Sequence, residues 1–275
     1  MTLTASTGTI HGVGLGPGAP DLLSVRADRL VRTARHVAYF RKAGRAGQAR
    51  TMVAGLLPSG AREIAMEYPV TTEIPLHDPR YAATLHAFYD DCAGRLRALA
   101  HTGQDVIVLC EGDPFFYGSF MHLHDRLRDD VPVSVVPAIP GMAAAWGATG
   151  VPITWGDDIL TVLMGTLPAE ILVQHMQMAD ALVVMKIGRH FDKVRHALHT
   201  AGRADAAWLI EYASMPDQMV QRLTDVPDAA SVPYFSIIVV HGHGRRRCES
   251  RAHTPGFDPP QQRQSRRACP RRPRA

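Results

Sequence analysis

The sequence predicts an α/β fold of two layered domains, on three observations. Residues 106–110 are five consecutive apolar residues, the mark of a strand buried on both faces in a parallel sheet. That strand runs at once into Glu111, Gly112, Asp113 and Pro114, which favour a sharp turn, and then into Phe116, Phe120, Leu123 and Leu127 at helical spacing. Residues 158–240 then alternate apolar, strand-like runs with amphipathic, helix-like ones, which is the pattern of another layered α/β unit.

In chain order, residues 9–15 form the first expected strand and lead into Gly14, Gly16, Pro17 and Gly18. Asp21 is the expected N-cap of the next helix, whose buried stripe is Leu23, Ala27, Leu30, Val31 and Ala34. Residues 37–40 read as a short strand, and residues 41–59 as a polar loop followed by a short helix. Pro69, Pro75 and Pro79 forbid helix until Tyr81, Leu85, Phe88, Cys92 and Leu96 recur near helical spacing, up to Gly103. After the central unit, residues 133–136 make a strand that ends in Pro137, Ala138, Ile139, Pro140 and Gly141, and residues 142–149 a short helix. Strands are then expected at 158–165, 181–186, 206–214 and 234–240, with helices at 167–179 and 191–202. The domain boundaries follow as 1–138, 139–243 and a tail, 244–275.

Composition narrows the function classes. At 275 residues and 46% hydrophobic the chain supports a sizeable core, and no apolar run is long enough to span a bilayer. The first residues lack a basic region followed by an apolar stretch, so a soluble, cytoplasmic protein is expected. Cys92, Cys110, Cys248 and Cys269 share no paired spacing and imply neither a disulfide framework nor a zinc site. His122 and His124, two apart on a helix, diverge, and His241 and His243 border the tail, so no metal is expected. The net charge of +4 resides in the tail: from Gly244 onward ten arginines face Glu249 and Asp258, which leaves residues 1–243 at −4. That Arg-, Pro- and Gln-rich segment has too few apolar residues to offset its ordering entropy and reads as disordered. A nucleic-acid-binding arm is the alternative for it. Gly14, Gly16 and Ala19 satisfy a loose dinucleotide fingerprint, but no acidic residue follows between Asp28 and Glu63, and Pro17 and Pro20 remove amide donors, which argues against NAD(P).

The central segment, EGDPFFYGSF at residues 111–120, resembles the GDP segment of the tetrapyrrole (corrin and porphyrin) methyltransferase family. GVGLGPGAPDLLSVRA resembles that family's amino-terminal loop, with Ala19 where an acid is usual, and PAIPG its interdomain hinge, with Ala138 in place of glycine. YPVTTE with the helix after it, and MKIGRH, are similar to the precorrin-2 C-20 methyltransferase branch. The resemblance implies two α/β/α domains of the tetrapyrrole methyltransferase type, a homodimer, and S-adenosylmethionine as methyl donor. It also implies C-methylation of precorrin-2 at C-20, or alternatively of cobalt-precorrin-2 or another tetrapyrrole such as uroporphyrinogen III. The carried-over cofactor positions are Gly112, Asp113, Phe116, Pro140, Gly141, Met185 and Ala213. Gly16, Pro17, Gly18, Ser119, Lys186 and Arg189 would face the macrocycle, cations being required by its carboxylates, and Tyr117 is the candidate for relaying a proton.

Overall fold

A buried five-residue strand needs a neighbour on each edge and a cover on each face, and the computed structural model, which describes residues 6–69 and 78–244, supplies both. The elements of the first part are β1 (Ile10–Gly14), α1 (Val25–Thr33), β2 (His36–Lys42), α2 (Gln48–Met52), β3 (Arg62–Tyr68), α3 (Pro79–His101), β4 (Val106–Cys110), α4 (Phe120–Leu127) and β5 (Val133–Val136). They form a parallel sheet in the order β3-β2-β4-β1-β5. Side chains alternate across β4: Val106, Val108 and Cys110 pack with α3 and α4 against Leu96, Phe120 and Leu123. Ile107 and Leu109 pack on the other face with Ala27 and Val31 of α1 and Ala49 of α2. Gly12 of β1 is required by the first of these layers, since a Cβ there would run into the Phe120 ring.

The second part contains α5 (Gly141–Ala148), β6 (Leu160–Met164), α6 (Ala169–Met178), β7 (Ala181–Met185), α7 (Phe191–Thr200), β8 (Ala207–Glu211), β9 (Met219–Arg222) and β10 (Ser236–Val240). Its sheet runs β6-β7-β10-β8-β9, with β10 antiparallel to both β7 and β8. Leu182, Val184, Leu209, Ile238 and Val240 pack on α6 and α7, while Val183, Trp208, Ile210 and Val239 pack on the α5 side with Ala145. Both units are therefore helix–sheet–helix layers. No helix among the described residues is long and apolar enough to cross a membrane.

Four local expectations are corrected. Asp21 does not cap α1: it lies in a separate 3-10 turn, Pro20–Leu22, and Ser24 caps the helix by accepting from the Ala27 amide at 3.1 Å. Phe116 is not on α4, which starts at Phe120; residues 114–118 stay in the turn. β3 went unread because Arg62, Glu63 and Glu67 mask its alternation of Ile64, Met66 and Tyr68 toward α3. β9, short and half polar, has no counterpart among the expected strands. Residues 70–73 of the YPVTTE segment, Pro75, and tail residues 245–275 with Cys248 and Cys269 lie outside the described residues.

Gly12→Ala is expected to destabilise the protein by about 1 to 3 kcal/mol, because Phe120 is fully buried and cannot swing out of the way. A lower urea midpoint at unchanged slope is the expected reading.

Candidate active site

Three loops meet at the carboxyl end of β4, where ligands bind in open α/β sheets. Gly112 (φ 64°) turns the chain, and its N–H donates to the Gly16 carbonyl at 2.9 Å while the Gly16 N–H returns to the Gly112 carbonyl at 3.4 Å. The loops after β1 and β4 are thus zipped together. Gly14 lies beneath, so close that a Cβ would stand 2.6 Å from the Ala138 Cβ. Asp113 completes the junction. One carboxylate oxygen accepts from the Phe115 amide at 2.9 Å, closing the turn, and the other accepts from the Ala138 amide at 2.9 Å, fastening the exit from β5. Ala138 serves here with an ordinary negative φ.

That fastening places the first turn of α5 opposite the β4 turn: a Cβ on Gly112 would have the Gly141 nitrogen, 3.9 Å away, as its nearest neighbour. Pro140 is the N-cap of α5 and brings no side-chain acceptor, so the Gly141 and Met142 amides have no partner among the described residues. Met185, at the end of β7, and Ala213, just past β8, pack with Met142 and Ala145 of α5 in one apolar layer. Gly112, Pro140, Gly141, Met185 and Ala213, far apart in sequence, therefore converge. Unpartnered amides beside a soft apolar wall suit a ligand with a carboxylate at one end and a flat heterocycle at the other.

The cleft beside this junction is marked by strain. Tyr117 (φ 54°), Lys186 (φ 53°), Tyr212 (φ 50°) and Ser214 (φ 65°) are the non-glycine residues in the left-handed region among those described, and all lie just past the carboxyl ends of β4, β7 and β8. Lys186 reaches across from the second sheet, its Nζ donating to the Tyr117 carbonyl at 3.3 Å and lying 5.9 Å from the Tyr117 ring centroid. Burial lowers its proton affinity. Ser119 does not cap α4, because its hydroxyl is hydrogen-bonded to Tyr68, whose ring stacks on Phe40 at 5.4 Å. Burial and neighbouring Tyr89 push the Tyr68 phenol far up.

Glu111 stands near Tyr234 of the loop before β10, close enough for the two to interact electrostatically. Both residues are exposed, yet the protein around each is dense enough to raise its proton affinity, and the charge of Glu111 adds to the shift of Tyr234. Sequence reading took Glu111 only as a turn residue and passed over Tyr68 and Tyr234. Its signal was position, as the residue directly following the buried strand.

Other expected positions stand apart from the junction or are already engaged. Gly16 and Pro17 are buried, the Ala19 amide donates to the Ser214 hydroxyl at 3.2 Å, and the Gly18 amide has no partner among the described residues. Met215 packs over Gly18. Phe116 sits edge-on to Tyr117 at 4.9 Å, and exposed Arg189 bonds to neighbouring His190 at 3.4 Å.

Comparison with known proteins places this geometry. Residues 9–226 match the family described as tetrapyrrole (corrin/porphyrin) methylases. The chain is 43% identical over 235 residues to a protein of Sinorhizobium sp. named precorrin-2 C(20)-methyltransferase, covering 86% of this chain and 96% of that one. It is 42% identical over 243 residues to the cobalamin biosynthesis protein CobIJ of Mycobacterium bovis, covering 88% of this chain and 47% of that longer one. It also shares its fold with the uroporphyrin-III C-methyl transferase of Thermus thermophilus, solved in complex with S-adenyl homocysteine. There the TM-score is 0.58 at 22% identity, over 85% of this chain and 92% of that one.

Asp113→Ala is expected to lose about 2 kcal/mol of unfolding free energy, since two backbone amides lose a charged acceptor. A separate expectation concerns pH. An acid whose proton affinity is raised in the folded state binds more protons folded than unfolded, so stability falls as pH climbs from about 4.3 toward the raised value of Glu111. Urea midpoints of Glu111→Gln should lack that decline relative to the parent protein.

Proposed function

The chain belongs to the tetrapyrrole (corrin/porphyrin) methylases, and from that premise we propose that it transfers a methyl group from S-adenosylmethionine to C-20 of precorrin-2, giving precorrin-3A in cobalamin biosynthesis. The observation that carries the choice of substrate is the 43% identity to the Sinorhizobium protein along nearly the whole of both chains. In this reading residues 1–138 supply the macrocycle trough and the β4 turn, residues 139–243 close over it, and the tail, 244–275, is an accessory. Cytoplasmic location and a homodimer accompany the reading, and light scattering on the purified protein tests the dimer.

The site fits the donor. The first-turn amides of α5, at Gly141 and Met142, are free to hold a carboxylate. Met185, Met142 and Ala213 form a polarisable wall for the adenine, and the missing side chain of Gly112 keeps the backbone open beside it. Asp113 acts on geometry: with both oxygens on protein amides it holds turn and α5 at a fixed separation. Bound there, S-adenosylmethionine would supply an electrophilic methyl for in-line attack by carbon.

The remaining work of the chain is positioning. Holding the two reactants aligned and dry contributes about 7 to 11 kcal/mol in reactions of this kind, and needs no nucleophilic side chain. Lys186, with Arg189 further along the same loop, provides charge for the carboxylates of the macrocycle, and Gly18 an amide. Tyr117, Phe116 and the Tyr68–Ser119 pair present aromatic and hydroxyl groups along the cleft. Packing of Met215 on Gly18 and the Ala19–Ser214 bond draw the two units together and help exclude water.

Purified protein incubated with precorrin-2 and S-adenosylmethionine should yield a product heavier by one methyl, mapped to the meso carbon C-20; a methyl on a pyrrole carbon overturns the reading. The cobalt-loaded ring, run in parallel, decides which form is preferred. Calorimetric titration with S-adenosylhomocysteine should show binding that Asp113→Ala weakens at least about tenfold, the equivalent of roughly 1.4 kcal/mol.

A further inference from the structure

Replacing the meso hydrogen of the macrocycle by methyl releases one proton, and something in the cleft must accept it. We propose that Glu111 is the base that takes this proton from the carbon that has received the methyl group. The proposal rests on the reading of the chain as a C-20 methyltransferase.

Glu111 has the position for it. It follows directly on β4, the most thoroughly buried strand of the first sheet, and so stands on a rigid element at the mouth of the junction that holds Gly112 and Gly141. Its Oε1 accepts from the Ala49 amide, at the start of α2, at 3.2 Å. Among the described residues no donor reaches Oε2, which leaves one oxygen anchored and the other open to the cleft. A carboxylate held by a single neutral amide keeps its basicity; one paired with a guanidinium does not. Burial raises the proton affinity of Glu111, and no cation offsets it. The titratable groups that feel its charge are the Tyr234 phenol, from the loop before β10, and the Cys110 thiol on the other face of the sheet, each raised first by burial and then by that charge.

The other carboxylates nearby are committed. Both oxygens of Asp113 hold backbone amides, Glu67 pairs with Arg41, and Glu63 takes both prongs of Arg50 at 2.7 and 2.8 Å. Glu211 is buried and shares its face of β8 with Ala207 and Leu209, which pack toward α6 and α7, away from α5. Tyr117 lies beneath the Lys186 ammonium and is better placed to orient the ring than to collect a proton.

The step balances. The carbon–carbon bond to the methyl forms as the carbon–sulfur bond breaks, and that electron pair stays on sulfur. The bond from C-20 to hydrogen then breaks, its pair restores the conjugation of the macrocycle, and the proton passes to the Glu111 carboxylate, which becomes the neutral acid and later releases it to water.

The test uses Glu111→Gln, whose amide oxygen can still accept from Ala49, with precorrin-2 carrying hydrogen or deuterium at C-20. In single turnovers the variant should form product about 10² to 10⁴ times more slowly and show a primary isotope effect larger than that of the parent enzyme. Its affinity for S-adenosylhomocysteine and its unfolding midpoint near neutral pH should not weaken. Parent-like turnover of the variant, or slow turnover without a larger isotope effect, overturns the assignment, as does loss of S-adenosylhomocysteine binding, which marks a structural role. Should the parent protein itself leave the C-20 deuterium in place, the C-20 reading fails and this proposal with it. The two failures are thereby distinct.

Discussion

The fastening of the β4 turn to the start of the second unit, through the Asp113 carboxylate, is the constraint on which the remaining geometry depends. Its bond to the Ala138 amide is, among the described residues, the polar tie between the turn that carries Gly112 and the segment that leads into Pro140 and Gly141. The glycines around it are consequences of the same closeness. Gly14 leaves space for Ala138 and Pro114, and Gly16 and Gly112 exchange backbone bonds that side chains would not prevent but that their positive φ reserves for glycine. A protein that must hold a small ligand between two sheets does so here with main chain brought to main chain.

The cost of that closeness appears in the loops around it. Among the described residues, four non-glycine residues adopt left-handed backbone in the loops that follow three strands, two of them flanking Ala213. Such conformations persist where surrounding packing over-determines them, and they cluster where side chains must be aimed at a ligand. Lys186 is aimed across the cleft at Tyr117, and Ser214 at Ala19. Around these contacts stand groups whose proton affinity the protein surroundings have shifted: Glu111, Tyr234 and Tyr68 upward, Lys186 downward. A cleft of that character strengthens hydrogen bonds to a polyanionic ring and favours transfer of a proton to carboxylate over its loss to water.

The fold was largely legible, element by element, for reasons of period. The continuous apolar run of β4, the helical repeat from Tyr81 to Leu96 and the alternation after residue 158 each leave one physical option. β3 was hidden by charges on an edge strand, and the Asp21 expectation failed because Ser24, three residues on, offered a better-placed oxygen to the Ala27 amide. Among the candidate site residues, Gly112, Pro140 and Gly141, carried over from the family resemblance, come together in the structure. Gly16 bonds to the β4 turn, Pro17 is buried, and Arg189 bonds to His190.

Local sequence was enough to determine which residues become strand, turn or helix, and that a tight acidic turn follows the most apolar strand, since these depend on neighbours a few positions away. Resemblance of separated segments added the family. Only the tertiary structure decided what each polar group is free to do. Asp113 and Glu111 are two residues apart and chemically alike, yet one has both oxygens bound by amides and the other keeps an oxygen that no donor among the described residues reaches. That difference is set by Phe115, Ala138 and Ala49, and two of those three partners are more than twenty residues distant in the chain. A carboxylate's chemistry follows from the donors around it, and donors brought from afar leave no periodic trace in the sequence.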